Sequence, residues 1–530
     1  MGNGTTQAEI LFLQFVGPMS LLLRNIAVPR IFHIFSCIFQ INNWLIFIFD
    51  LLFIMMPVLL ILTLLSDYIP LLLLVEAIII LIFVIVLICD HYFVKQRLRT
   101  YCDWFYQIND AHYLPTKFVT YMRSHGLICT AIAILAVDFN VFPNRFAKTS
   151  TFGRSLMDLG TATFVYCFAV TDIFRHYPGR VKHNIQKQKK RFCSLKPSSS
   201  ILLILLGIAR TVLLNSINYH YSVIEYGVHW NFFITLGMLR LIVDFLGRRC
   251  HLLLGIVIGF TYQYFLTKQN LQEYLLSNET ERKDFISKNR EGIFSLFGYL
   301  SLYYFASAIS SFLFTGTSDQ DYCDSHINFS LTEKRKRIKI WFNRFYQLLL
   351  LTVIIFGVQQ LVVKLVGLPS RRIANMPYVL EMEVFHTVYL CGYLFVQLLH
   401  AWASQMSHFR NNLNKEASTE KNVKKILLND DENSLEMLKP FLMDSINQYG
   451  LAFFLVANIL TGLVNKSINT SSVKNHYTAT AIITAYMFTC ITIIHLFARL
   501  RKKMKHKKSL PSKIRPSWDS NSLPDPVVSI

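Results

Sequence analysis

The chain has 530 residues, of which 53% are hydrophobic and only 16% charged, against about 25% charged in an average soluble domain. That deficit runs the whole length, which excludes a soluble globular protein and points to a polytopic membrane protein. The net charge of +21 is clumped between apolar runs, where Lys and Arg set topology, so nucleic acid is not an expected partner.

Thirteen segments carry the roughly 20 mostly apolar residues that a membrane helix needs. They are 8–28, interrupted by Pro18 and Arg24, then 44–65, 70–93, 118–138, 156–174, 199–216, 228–247 and 250–267, followed by 293–315, 340–366, 383–403, 440–464 and 476–498. The expected fold is all-α, a polytopic membrane helix bundle of about 13 transmembrane helices. Residues 1–500 read as one transmembrane domain without internal repeat, and 404–438 as a mobile Lys/Asn/Glu-rich loop. Residues 501–530 read as a basic and then Pro/Ser-rich tail, expected to be disordered. The N-terminus, Met1 to Thr6, fits both a myristoylation pattern and the glycosylation sequon at Asn3. These belong to opposite sides of the membrane and cannot both operate.

The Arg175 to Lys196 segment holds eight Lys/Arg and is expected to be cytoplasmic, as are Lys334 to Lys339, Lys421 to Lys425 and Arg499 to Lys508. Counting spans from each gives a cytoplasmic C-terminus and an N-terminus on the other side. Loops 139–155, 217–227, 268–292, 367–382 and 465–475 then share that other side, with the sequons at Asn278, Asn465 and Asn469. The sequon at Asn328 falls on the cytoplasmic side. The ten cysteines show no metal or disulfide spacing, and no metal or cofactor is expected.

Ionisable residues inside spans are costly unless paired or wet, so each is a functional candidate. Glu76 and Asp90 read as snorkelled or paired to a basic neighbour, and His125 as a hydrogen bond within the bundle. Arg240 and Asp244, four apart on one helix, read as a structural pair. Four helix ends on the non-cytoplasmic side differ: Asp138 to Asp158, Glu225 to Phe233, Asn289 to Ile293 and Ser370 to Pro377. Each sets hydrogen-bonding or charged groups against a span, and topology lets one polar site collect all four. Asp138, at the membrane surface, suits a general base on a hydroxyl. The ammonium of Lys148 suits keeping that carboxylate ionised, orienting the hydroxyl or stabilising an oxyanion, provided the intervening loop folds back so that the two meet. The competing reading is a structural ion pair. GxSxG, HExxH, P-loop and dinucleotide motifs are missing from the sequence.

Leu135 to Gly160, LAVDFNVFPNRFAKTSTFGRSLMDLG, closely resembles the signature of the inositol acyltransferases of glycosylphosphatidylinositol (GPI) anchor synthesis, the PIG-W family. The EYGVHWNFF at 225–233, NREGI at 289–293, SRRIAN at 370–375 and ANILTGLVN at 457–465 are similar to that family's other blocks, in order. Asn140 and Asn144 depart from it, standing where it usually has Pro and Arg.

The resemblance implies a membrane-bound O-acyltransferase of the endoplasmic reticulum, with a lumenal N-terminus. It would move a palmitoyl group from acyl-CoA, a co-substrate, to the inositol 2-hydroxyl of glucosaminyl-phosphatidylinositol. It implies Asp138 and Lys148 as the catalytic pair. Arg145, Arg154, Arg371 and Arg372 are then candidates for lipid or CoA phosphates, and His229 and Asn231 for sugar hydroxyls or the acyl donor. Asp158 and Asn375 complete the substrate-binding set. A polytopic lipid or solute transporter using the Asp/Lys pair as a proton relay is the alternative; paired repeats, its usual mark, are not apparent in the sequence.

Overall fold

The structure, a computed structural model, describes residues 4–34, 43–93, 117–176, 199–216, 225–247, 250–277, 282–314, 331–415 and 440–509. Inside a bilayer each backbone N–H and C=O needs a partner in its own segment, so apolar runs become helices. Every expected span contains one. They are α1 (Gln7–Ile34), α2 (Asn43–Asp50, a π-turn Leu51–Met55, then Met56–Leu62), α3 (Ile69–Phe93), α4 (Lys117–Ala136), α5 (Leu159–His176) and α6 (Ser199–Ser216). Next come α7 (Phe232–Leu246), α8 (His251–Lys268), α9 (Arg290–Phe314), α10 (Leu331–Val366) and α11 (Met376–Lys415). Last are α12 (Gly450–Ser467) and α13 (His476–Ser509). The described residues contain no strand, and the fold is all-α.

Nine of these helices are long and apolar enough to cross a bilayer: α1–α4 and α9–α13. Among the described residues fewer qualify than the thirteen expected, and α7 is short. The 15 residues of α7 extend about 22 Å at 1.5 Å per residue, against a core about 30 Å thick. Three boundaries also differ from expectation. α11 runs on to Lys415, into the stretch expected to be a mobile loop, since no Pro or Gly interrupts 404–415. α13 continues to Ser509, so the basic run begins as helix. The expected span 440–464 divides into Phe441–Gln448 and α12, with Gly450, a poor helix former, at the break. The expectations for Asn3, Asn278, Asn328, most of the 175–196 loop, Lys421 to Lys425, the Asp90 side chain and residues 510–530 lie outside the described residues.

α11 is the central helix. It packs on α1, α4, α5, α9 and α10, and 83% of its spanning window is buried, against 11% for α3 and α10 at the periphery. Several polar groups inside the bundle are matched. Arg24 and Asp50, both buried, pair at 2.7 Å. Glu76 accepts from the Ser20 hydroxyl at 2.8 Å rather than pairing with a base. His125 bonds the Tyr389 hydroxyl of α11, as expected. Arg240 pairs most closely with Asp172 of α5, its i+4 neighbour Asp244 standing off at 3.9 Å. The helix geometry allows the Arg240–Asp244 pair, but packing against α5 offers a buried carboxylate instead.

Thr5 near the N-terminus donates its N–H to the Arg154 carbonyl, and Asn140 reaches the Ser471 carbonyl in the turn before α13. Thr5 therefore lies at the Asp138–Asp158 end of the bundle, and α13 runs from that end towards the opposite one.

Candidate active site where four helix ends meet

α4 stops at Ala136, and Asp138 and Phe139 turn back to bond the carbonyls of Leu135 and Ala136 at 3.1 and 3.0 Å. The loop is held from beneath by Phe139, Val141, Phe142 and Phe146, all buried, with Phe142 and Phe146 edge to face at 6.1 Å. Aromatic side chains at these places anchor the polar residues between them at the surface of the bundle. Asp138 is half-buried, and its Oδ2 accepts from Asn465 Nδ2 at 2.7 Å. Its Oδ1 has no protein partner among the described residues.

Lys148 does not reach Asp138. Its Nζ donates to both carboxylate oxygens of Glu225, at 2.9 and 2.8 Å. The reason is electrostatic: the Glu225 carboxylate is largely enclosed and needs a cation. Burial opposes its ionisation, yet Arg371, Lys148 and Arg210 outweigh burial and hold its carboxyl below the usual range.

The four helix ends converge as topology allows. The Asp138–Asp158 segment joins Ser370 to Pro377 through Gly153 N–H to the Pro369 carbonyl at 2.9 Å, and through Ser370 Oγ to the Thr151 carbonyl. The Glu225 to Phe233 segment docks on Asn289 to Ile293. Val228 N–H bonds the Lys288 carbonyl at 3.0 Å, and Asn289 Oδ1 accepts from the N–H groups of His229 and Trp230 at 2.8 and 3.0 Å. Gly227, at φ +115°, makes this approach possible, since a Cβ there would stand 2.5 Å from Asn289 Cα. Arg372 closes the circle on Glu291 at 3.1 Å.

A buried ion pair lies at the centre. Arg371 Nε stands 2.8 Å from Asp158 Oδ1, and Asp158 Oδ2 accepts from Thr149 Oγ1 at 2.9 Å and Ser155 Oγ at 2.8 Å. Burial works against the Arg371 charge, but Glu225 and Asp158 outweigh it and raise its pKa above the ordinary value. Thr149 follows Lys148 in the chain, so Lys148, Glu225, Arg371 and Asp158 form a loop of alternating charge that returns to the backbone beside Lys148.

The other candidate binding residues are already engaged. Arg145 pairs with Glu9 at 3.0 Å and Asp67 at 2.6 Å, and Arg154 lies 2.7 Å from Glu381. With Asp158 and Glu291 against Arg371 and Arg372, each of the four arginines faces an acid. Asn231 caps α7 through Phe233 and Ile234 and donates to the Gly207 carbonyl and Thr211 of α6, which uses its whole carboxamide. Asn375 accepts from Ser370 and Tyr378 N–H and donates to the Leu368 carbonyl. The His229 ring is exposed and stacks parallel to Phe285, with ring centroids 6.5 Å apart.

Sequence reasoning passed over Glu225, Glu381, Tyr378 and Asn465 as members of the site. Two of them carried a signal: Glu225 opens a quoted block and Asn465 ends one. Asn465 also carries a sequon, but it lies within α12 with its Oδ1 buried.

The GWT1 family model matches residues 1–497. GPI-anchored wall transfer protein 1 of Candida albicans is 32% identical over 406 residues, 73% of this chain and 76% of that protein. Proteins of the same description from Aspergillus oryzae and Gibberella zeae are 34% identical over 379 residues (70% of each chain) and 35% identical over 373 residues (67% of this chain and 68% of that protein).

Proposed function

Since the chain belongs to the GWT1 family, we propose that it acts in GPI-anchor biosynthesis as an inositol acyltransferase of the endoplasmic reticulum membrane. In this reading it moves a palmitoyl group from acyl-CoA to the inositol 2-hydroxyl of glucosaminyl-phosphatidylinositol, with its N-terminus lumenal and its C-terminus cytoplasmic. The observation that supports this chemistry best is the state of Asp138. One carboxylate oxygen is fixed by Asn465 at 2.7 Å and the other is open to accept a proton.

Asp138 takes the proton of the inositol hydroxyl as its oxygen bonds to the thioester carbonyl carbon. The carbonyl oxygen becomes an oxyanion. Lys148 spends two of its three N–H groups on Glu225 and has one left to donate to that oxyanion. Collapse breaks the carbon–sulfur bond, and the proton on Asp138 passes to the leaving thiolate. The products are acylated lipid and CoA thiol, and Asp138 is again a carboxylate. Direct transfer is favoured because Ser155, the block serine bonded to the Asp158 carboxylate at 2.8 Å, is fully buried and its acid is already paired with Arg371.

The test is purified full-length protein given palmitoyl-CoA and glucosaminyl-phosphatidylinositol. Wild type is expected to release CoA thiol and form acylated lipid, and a folded Asp138→Asn variant to do neither. Absence of acylated lipid with wild type, or full rate with Asp138→Asn, rules the reading out.

A further inference from the structure

One arginine at this end of the bundle forms no ion pair among the described residues. Arg145, Arg154, Arg371 and Arg372 are paired as above, and Arg282 and Arg290 both face Glu291. Arg210 makes no ion pair or hydrogen bond among the described residues, and its side chain is exposed.

Its setting makes that unusual. Arg210 lies on α6, whose Leu205, Ile208, Val212 and Leu213 are also exposed, an apolar surface suited to lipid. A cation on such a surface is costly and marks a wet or anion-binding place. Arg210 lies six residues before the α6 end at Ser216, about 9 Å along the axis, within snorkelling reach of the headgroup layer. Its position is set by its neighbour. Thr211 Oγ1 accepts from Asn231 Nδ2 at 3.0 Å, the contact that pins α6 to α7. Arg210 is also within electrostatic reach of Glu225 and Tyr226, and so stands at the edge of the Lys148–Glu225 cluster.

We propose that Arg210 anchors the phosphodiester of an anionic membrane lipid that approaches the Asp138–Lys148 loop sideways from the bilayer. A guanidinium fork matches two phosphate oxygens, and a site on the lipid-facing surface suits a ligand whose acyl chains stay in the membrane. That the lipid is the acyl acceptor rests on the function proposed above. The same chemistry would serve CoA phosphates, and non-specific snorkelling would serve any phospholipid, so the test separates all three.

Full-length protein in detergent is titrated with phosphatidylinositol or phosphatidylcholine and examined by native mass spectrometry. Wild type is expected to retain phosphatidylinositol in preference to phosphatidylcholine. Arg210→Gln should weaken that retention roughly tenfold, the scale of one charge-assisted hydrogen bond, and Arg210→Lys by less. Equal retention of phosphatidylinositol by wild type and Arg210→Gln, or no preference between the lipids in wild type, overturns the proposal. This arm needs no catalysis, so it stands or falls apart from the acyltransferase reading. In transfer kinetics Arg210→Gln should raise KM for glucosaminyl-phosphatidylinositol and leave KM for palmitoyl-CoA unchanged. A rise confined to palmitoyl-CoA assigns the phosphate to CoA and overturns the lipid assignment. Arg210→Gln should unfold at the wild-type temperature; loss of folding would reveal internal partners and also overturn it.

Discussion

Lys148 and Glu225 form a two-point ion pair, 2.9 and 2.8 Å from the ammonium to the two carboxylate oxygens, across 77 residues of sequence. The pair fixes where the ammonium points. It makes Glu225 a positioning residue for Lys148 in the proposed reaction.

Glu225→Gln is therefore expected to lower kcat by about 10–100-fold, the scale of misplacing a reacting group, with a smaller effect on KM for acyl-CoA. Glu225→Asp should recover part of the rate. The pH dependence has a defined sign. The folded-state carboxyl of Glu225 titrates below its ordinary value of 4.5, so its stabilisation is complete above that value and fades as pH falls through the lower folded value. Thermal unfolding of wild type and Glu225→Gln should thus differ most at neutral pH and converge in acid. A difference that grew on acidification would contradict the pair.

Asn465 orients Asp138, and an acid in its place would act on the base directly. Asn465→Asp sets a second carboxylate beside Asp138 and should raise the pKa of Asp138. The acid limb of the kcat–pH profile then moves to higher pH. Asn465→Ala removes the tether, with a kcat loss of about tenfold expected and no such displacement of the limb. Identical profiles for the two variants would argue against the contact.

The Arg371–Asp158 pair is buried on both sides. Arg371→Ala leaves Asp158 charged and unpaired, at a cost of about 3–5 kcal/mol. A lower unfolding temperature and poor yield are expected. Adding Asp158→Asn to that variant should recover part of the loss, because the orphaned charge is gone; strictly additive losses would count against the pairing.

Gly227→Ala should destabilise by about 1–3 kcal/mol through backbone strain alone. The added methyl would also stand 2.6 Å from the Lys288 carbonyl oxygen, which parts the second and third helix ends. Increased protease cleavage near 227–289 in the folded protein would report this opening, and a wild-type digestion pattern would refute it.

Composition and apolar run length by themselves determined an all-α membrane bundle, the position of its helices and the four polar helix ends, because burying backbone in lipid leaves the chain few choices. The sequence blocks also picked out Asp138 and Lys148. Pairing was decided only in three dimensions. Lys148 sits ten residues from Asp138 in sequence, near enough for the loop to fold back and join them, yet Glu225 takes it. Arg240 sits four from Asp244, yet Asp172 holds it more closely. In both cases a partly or fully buried carboxylate from a distant segment competes with a near neighbour and wins, since the penalty for leaving it unpaired exceeds that of a longer chain closure. The same competition left Arg210 without an ion pair among the described residues, a fact that no local pattern in α6 announces.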